Sequence, residues 1–288
     1  MGQVLSLFET DDMIISQEVK DVILTPIQKV GKIWVKREDL FNVYGANGAK
    51  ARSCFYLVNK AKKQGFKTIT TAGSRKSPQI NIVAQICKHL NLEFVAHCPQ
   101  GELGSELLEA QKAGARIIQH KAGYNSVIVA RAKTYAEENK AFEVPFGMMC
   151  REAVSQTFYQ VTDLPAKAKR IVIPVGSGMN LCGLLHGLKQ AGNPIKVLGV
   201  VVGADPVKTL KKFAPNDWMY RVQLVNAGVD YHHEVKDNFI GDIMVDPIYE
   251  AKCIKFLKNG DLFWTVGIRS TLLKNQPLHS YFNDHEKV

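Results

Sequence analysis

The apolar residues of the chain fall into two alternating rhythms. Short runs rich in Val, Ile and Thr read as buried strands: KIWVK (32–36), KTITTA (67–72), EFVAHC (93–98), RIIQ (116–119), RIVIPVG (170–176), KVLGVVVG (196–203) and LFWTVG (262–267). Between them lie stretches with helical period, AKARSCFYLVNKAKKQG, PQINIVAQICKHL, SELLEAQKAG and SVIVARAKTYAEEN. Gly65 and Gly114 follow two of these, where glycine closes a helix in the left-handed conformation. Strand–helix–strand alternation predicts a parallel sheet with helices on both faces. In such sheets ligands bind where loops leave the carboxyl ends of strands, so the chemistry is expected just after each strand. No internal repeat, low-complexity tract or long linker interrupts the pattern, and residues 276–288 read as a polar tail.

Composition narrows the field. A chain of 288 residues that is 46% hydrophobic can bury a sizeable core, which argues against disorder. No apolar run is long enough to cross a bilayer, and MGQVLSLFETDDMI lacks the basic-then-apolar order of a secretory signal. The six cysteines are scattered without a C-x-x-C pair, as expected of free thiols in a reducing compartment. His232-His233 has no further ligand at metal spacing, so no metal site is expected. Lys and Arg (37) outnumber Asp and Glu (27), for a net charge of +10. That excess attracts polyanions at long range and carries no information about fold. The basic residues form no block.

Three strand-following loops could carry chemistry. KIWVKREDL leads to a glycine-rich turn, GANGAKARSCFYL, which delivers Lys50 to the start of an amphipathic helix behind Gly45 and Gly48. The positive end of the helix dipole disfavours a cation there. A lysine whose pKa is lowered can form a Schiff base. On this argument alone a solvated surface lysine is the commoner outcome. The second loop, VGSGMNLCGLL (175–185), joins a strand to a helix and offers a nest of backbone N–H groups suited to one phosphate. Gly176 and Gly178 permit close approach, and Ser177 and Asn180 could add hydrogen bonds. No Lys-Ser or Lys-Thr follows and a third glycine is missing, so neither a Walker loop nor a dinucleotide fingerprint is present. A tight turn without a ligand is the alternative. In the third, TAGSRKSPQINIVAQ (71–85), Ser74 and Ser77 flank Arg75 and Lys76, and Pro78 suits a first helical turn. It reads equally as an anion site and as a capped helix with two solvated cations.

Taken in order, these segments resemble the fold-type II pyridoxal-phosphate (PLP) enzymes, with their tryptophan-synthase-β-like α/β fold. The nearest resemblance is to aminocyclopropane-carboxylate deaminase and D-cysteine desulfhydrase, and more loosely to threonine synthase and threonine dehydratase. TPIQKVGKIWVKREDL is similar to their entry segment, and GANGAK to the segment bearing the Schiff-base lysine, which places that role on Lys50. TAGSRKSPQ stands where they carry the substrate loop, implying substrate contacts from Ser74, Arg75, Lys76, Ser77 and Gln79. VGSGMNLCGLL stands at their phosphate loop, implying cofactor contacts from Gly176, Ser177, Gly178, Met179 and Asn180. DPIYEAKCIKFLKNGDLFWTVG is similar to the segment beside the pyridine ring; there Tyr249 is a candidate proton donor or ring contact, and equally a packed aromatic. The resemblance spans residues 25 to 270. It implies two α/β lobes with mostly parallel twisted sheets: a large PLP-binding lobe of residues 1–52 and 147–288, and a small lobe of 53–146 with the substrate loop. It also implies a homodimer.

Three departures bear on function. The family's Ser-Asn reads Ser77-Pro78, its Gly-Thr reads Met179-Asn180, and its final Thr-Gly-Gly reads Thr-Val-Gly-Ile-Arg. The last leaves Thr265 as the candidate partner of the pyridine nitrogen. The expected activity is that of a PLP-dependent lyase, decarboxylase or deaminase acting through a Lys50 Schiff base. The altered loop and basic build are similar to those of compact bacteriophage PLP enzymes. Those enzymes act on glycine or serine attached to thymidine in phage DNA, a step of base hypermodification. The alternatives are deamination or desulfhydration of a small free amino acid, and a non-catalytic PLP- or DNA-binding protein. The expected location is the cytoplasm, that of the host if the gene is viral.

Overall fold

The computed structural model describes residues 24–121 and 124–272. The N-terminal stretch and the tail expected over 276–288 lie outside the described residues. The chain enters through an antiparallel pair, β1 (Ile27–Val30) and β2 (Ile33–Lys36), and a small hairpin, β3 (Asn42–Val43) and β4 (Ala46–Asn47). Helix α1 (Ala49–Lys63) follows at once. Four strands and three helices then alternate: β5 (Thr68–Ala72), α2 (Pro78–His89), β6 (Glu93–Pro99), α3 (Ser105–Lys112), β7 (Arg116–His120), α4 (Asn125–Asn139) and β8 (Phe142–Val144). The return passes through α5 (Arg151–Phe158), β9 (Arg170–Val175), α6 (Met179–Gln190), β10 (Lys196–Val201), α7 (Val207–Phe213), α8 (Trp218–Arg221) and β11 (Val222–Asn226). A second small hairpin, β12 (Phe239–Ile240) with β13 (Ile243–Met244), precedes the last strand, β14 (Asp261–Trp264).

Two sheets result. The first runs β1-β2-β14-β9-β10-β11, parallel apart from the β1–β2 pair, and the second runs β7-β6-β5-β8, all parallel. Their central strands read as unbroken apolar runs because helices cover both faces; from Ile171 to Val175 every residue of β9 is buried. Gly65 and Gly114 have φ of +90° and +98°, the left-handed values that end α1 and α3. Pro78 occupies the first turn of α2, where its missing N–H is not needed.

One detail of register opens the molecule where chemistry was expected. β14 pairs with β9 only over Asp261–Phe263 against Arg170–Val172. Beyond that point the strands part. The end of β14 turns toward the start of α1, while β9 continues beside β10 into the loop 176–178. The expected strand 262–267 therefore leaves the sheet after Trp264, because Val266 and Gly267 are engaged with the first turn of α1. A crevice between the carboxyl ends of parallel strands is where sheets of this kind bind ligands.

Candidate active site

Lys50 lies at the second position of α1, half-buried, with no acidic residue in that first turn and no side chain capping it. Among the described residues it makes no hydrogen bond or ion pair. Burial lowers its pKa; the neighbouring Cys54 pulls the other way and Arg269 adds to the lowering. The approach to Lys50 is set by Gly48, whose φ is +89° and whose Cα faces the Val266 carbonyl and the Gly267 Cα so closely that any Cβ would collide. The Ala49 N–H donates to the Val266 carbonyl at 2.9 Å, so the end of β14 and the start of α1 are one unit.

The charged run Lys36-Arg37-Glu38-Asp39 builds the frame behind this unit rather than the site. Glu38, wholly buried, accepts two bonds from Arg52 (2.6 and 3.2 Å) and one from the Thr25 hydroxyl. Lys36, equally buried, pairs with Asp163 at 2.8 Å. Thr265, the sequence candidate for the pyridine nitrogen, belongs to the same frame. Its hydroxyl lies 2.8 Å from the Lys36 carbonyl and 2.9 Å from the Asp39 carboxylate, and it accepts from the Asp39 N–H at 3.2 Å. Its one proton is thereby taken.

Across the crevice, the loop Gly176–Gly178 leads into α6, which has no side-chain cap and no acidic residue in its first turn. Gly178 adopts φ +87°, and a Cβ on Gly176 would sit 2.5 Å from the Tyr249 hydroxyl. Ser177 is half-buried against Gly147, Met179 is buried, and the Asn180 side chain accepts from Thr157 of α5 at 3.3 Å. The backbone of this turn thus faces the crevice with the positive end of a twelve-residue helix behind it.

Tyr249 and its neighbour Glu250 join the two halves. The Glu250 carboxyl is buried and accepts from the N–H groups of Val266 and Gly267, both at 3.0 Å, through Oε1. Its Oε2 is buried without a hydrogen-bond partner. Burial and the nearby Asp246 carboxylate push its pKa well above the ordinary range, so it holds its proton. Burial likewise keeps the Tyr249 phenol protonated. Glu250 was missed by sequence reasoning, because an acidic residue opening a helical turn is what local stability alone would place there. Tyr231, also missed, lies near Tyr249 and Gly203 and beside Arg269. No local pattern announces it.

The third loop is less centred on the crevice. Ser74 and Ser77 are half-buried and close a turn through the Ser77 N–H to the Ser74 carbonyl. Arg75 and Lys76 are exposed, and Arg75 lies over Gly101 with its guanidinium donating to the Glu102 carbonyl at 3.1 Å. Gln79 is buried and committed to Thr71 and the Pro145 carbonyl. The structure therefore brings together Lys50, the 176–180 turn, Tyr249 and Glu250, and turns Arg75 and Lys76 outward.

Comparison with known proteins identifies the family and the fold. Residues 20–250 match the family model described as "Pyridoxal-phosphate dependent enzyme". A Schizosaccharomyces pombe protein named "Probable 1-aminocyclopropane-1-carboxylate deaminase" is 27% identical over 203 residues, 62% of this chain and 59% of its own. The 1-aminocyclopropane-1-carboxylate deaminase of Burkholderia ambifaria is 25% identical over 199 residues, with the same shares of the two chains. The chain thus spans 59% of the length of these relatives. The fold is shared with the crystal structure of an ACC deaminase homologue at a TM-score of 0.72 and 22% identity, covering 85% of this chain and 89% of the other. Over four-fifths of its length, then, this chain belongs to the family of pyridoxal-phosphate dependent enzymes.

Proposed function

We propose that the chain is a PLP-dependent lyase that deaminates a small amino acid, with Lys50 as the covalent anchor of the cofactor. The observation that carries this reading is a lysine without an ionic partner among the described residues, beside a buried carboxyl with a free oxygen, both held by Val266–Gly267. The residues fit PLP group by group. The Lys50 amine, its pKa lowered by burial, suits its aldehyde, and the backbone N–H groups of Ser177 to Asn180 with the α6 dipole suit its phosphate. The unpartnered Glu250 Oε2 suits the pyridine nitrogen, a role that Thr265, bound to Lys36 and Asp39, is not free to take.

When bound, PLP supplies a conjugated ring that takes up the electron pair left at the substrate α-carbon. The protein chooses which bond gives up that pair. With PLP bound, the Lys50 amine would be the base placed to accept the α-proton. The Glu250 carboxyl, held neutral by burial, can share its proton with the ring nitrogen and so strengthen the electron demand there. The Tyr249 phenol is a proton donor for the leaving side. Ser74 and Ser77 can hold the substrate, while Arg75 and Lys76 raise the positive potential at the mouth.

The test is release of ammonia and a 2-oxo acid from a panel of D- and L-amino acids and 1-aminocyclopropane-1-carboxylate. Turnover by the loaded wild type and none by Lys50→Ala is expected. Release by neither, from protein that has taken up PLP, sinks the lyase reading. The net charge of +10 favours a second reading, in which the amino acid is attached to DNA. In that case turnover requires aminoacyl-thymidine DNA and falls steeply with salt, and duplex substrate must release the base from its stack.

A further inference from the structure

A PLP enzyme acting on an amino acid must grip the substrate carboxylate to decide which α-carbon bond is aligned for cleavage. The loop expected to supply a cation for this sends Arg75 and Lys76 to the surface. A different cation is buried at the crevice. Arg269 is only 9% exposed and stands two residues beyond Gly267, which packs on Gly48 at the approach to Lys50. The intervening Ile268 is clasped by Asn47, whose side chain accepts from the Ile268 N–H at 2.9 Å and donates to its carbonyl at 2.7 Å. Asn47 directly precedes Gly48, so the position of Arg269 relative to α1 is fixed on both sides.

A guanidinium carries five donors, and burying it is costly unless they are used. Among the described residues, its one side-chain hydrogen bond is to Asp246; Tyr231 and the buried Glu106 face it electrostatically, and Glu106 is itself engaged by Asn81 and Thr271. The Asp246 contact is long, 3.4 Å from Nη1 to Oδ1. That oxygen already accepts from the N–H groups of Ile248 and Tyr249 at 2.9 and 3.0 Å. Among the described residues, Oδ2 is reached only by the Arg269 backbone N–H, also at 3.4 Å. Asp246 is thus occupied in shaping the turn that presents Tyr249 and Glu250, and it offers Arg269 no two-pronged carboxylate grip. The guanidinium is positioned and charged, with its fork unfilled.

From this we propose that Arg269 is the specificity-determining residue for the substrate: it receives a free carboxylate and so selects unesterified amino acids. The proposal rests on the reading of the Lys50 crevice as the PLP site. The lowering of the Lys50 pKa by Arg269 agrees with the two side chains sharing one cavity. A purely architectural Arg269, one that only braces the Asp246 turn, predicts no preference among ligands.

The experiment uses the full chain loaded with PLP, and compares alanine and serine with their primary amides. Dissociation constants are read from the change in the visible spectrum, with no turnover needed. The wild type is expected to bind each acid at least about tenfold more tightly than its amide, the scale of one charge-assisted bidentate contact. Arg269→Gln is expected to bind acid and amide alike, and Arg269→Lys to keep part of the preference. Because Arg269→Gln leaves Asp246 buried without a cation, the pair Asp246→Asn/Arg269→Gln is measured beside it; the side-chain amide oxygen introduced by Asp246→Asn can still accept from Ile248 and Tyr249. Calorimetry with acetate and succinate gives a second readout, with heat of binding in the wild type and none in either variant. An undiminished acid-over-amide preference in the folded double variant overturns the proposal and leaves the PLP site standing. A wild type that takes up no PLP overturns both.

Discussion

Glu250 is the residue whose function and stability should pull in opposite directions. Its carboxyl is buried beside Asp246, and its hydrogen bonds come from two backbone N–H groups on one oxygen. Those bonds do not offset the loss of solvent by an ionised carboxylate, so the folded protein keeps the proton. The unfolded chain releases it near 4.5, the ordinary value. The folded-state pKa is raised, so the contribution of the group is fully present below pH 4.5 and is lost as pH rises toward the folded value. In that window each pH unit costs about 1.4 kcal/mol of stability. Glu250→Gln is nearly the same size and retains the oxygen that accepts from Val266 and Gly267, without the titration. Denaturant unfolding of both cofactor-free proteins at pH 5.5, 6.5 and 7.5 is the assay. The stability of the variant relative to wild type should rise with pH across this range, by at most about 1.4 kcal/mol per pH unit. Turnover of the loaded variant should fall by roughly a hundredfold or more, the usual scale for losing a positioned proton. A stability difference that stays constant with pH would refute the claim that Glu250 is buried and neutral.

Three further outcomes follow from the frame and the loops. Gly176→Ala puts a methyl 2.5 Å from the Tyr249 hydroxyl, so it should destabilise the fold by about 1–3 kcal/mol and weaken PLP retention, checked by unfolding and by absorbance after gel filtration. Arg52→Met leaves Glu38 charged and buried and should cost about 3–5 kcal/mol in denaturant unfolding, whereas Lys133→Met, which breaks an exposed pair with Glu137, should cost under about 1 kcal/mol. His97, buried at 2.8 Å from His120, is held down to about 4 by burial and by the His120 and Arg116 charges, so stability is fully present above pH 6.5 and falls as pH drops from there toward 4. Monitoring unfolding across that range should show a flatter acid limb for His97→Gln, and an unchanged limb would assign the loss elsewhere.

How much was legible follows from which contacts are local. β5, β6, β9 and β10 announce themselves as apolar runs, because a parallel strand covered on both faces has no polar side to show. Lys50 and the 176–178 turn are legible for a similar reason, since each needs glycine within a few residues of a helix start. The partners of those elements come from far along the chain. Glu250 and Arg269 reach α1 through the end of β14, 200 residues or more from Lys50, and no periodicity encodes that meeting. The motif position of Thr265 points it at the ring, yet its hydroxyl ties β14 to Lys36 and Asp39. The charged run 36–39 gives no local sign of its pairing, yet Lys36 and Glu38 are buried against Asp163 and Arg52, and Arg37 pairs with Asp39. The two-residue strands of β3–β4 carry too few residues for any alternation to show.

The central claim is that the Lys50 amine is the point of attachment for PLP. The direct measurement is to mix the full-length protein with PLP, reduce with borohydride, digest, and locate the modified residue by mass spectrometry, with Lys50→Ala treated in parallel. The account predicts a single stoichiometric phosphopyridoxyl adduct on Lys50, fixed with the disappearance of a visible band near about 420 nm, and no defined adduct in the variant. A stoichiometric adduct on another lysine, such as the buried Lys252, or protein that stays colourless with saturating PLP, would contradict it.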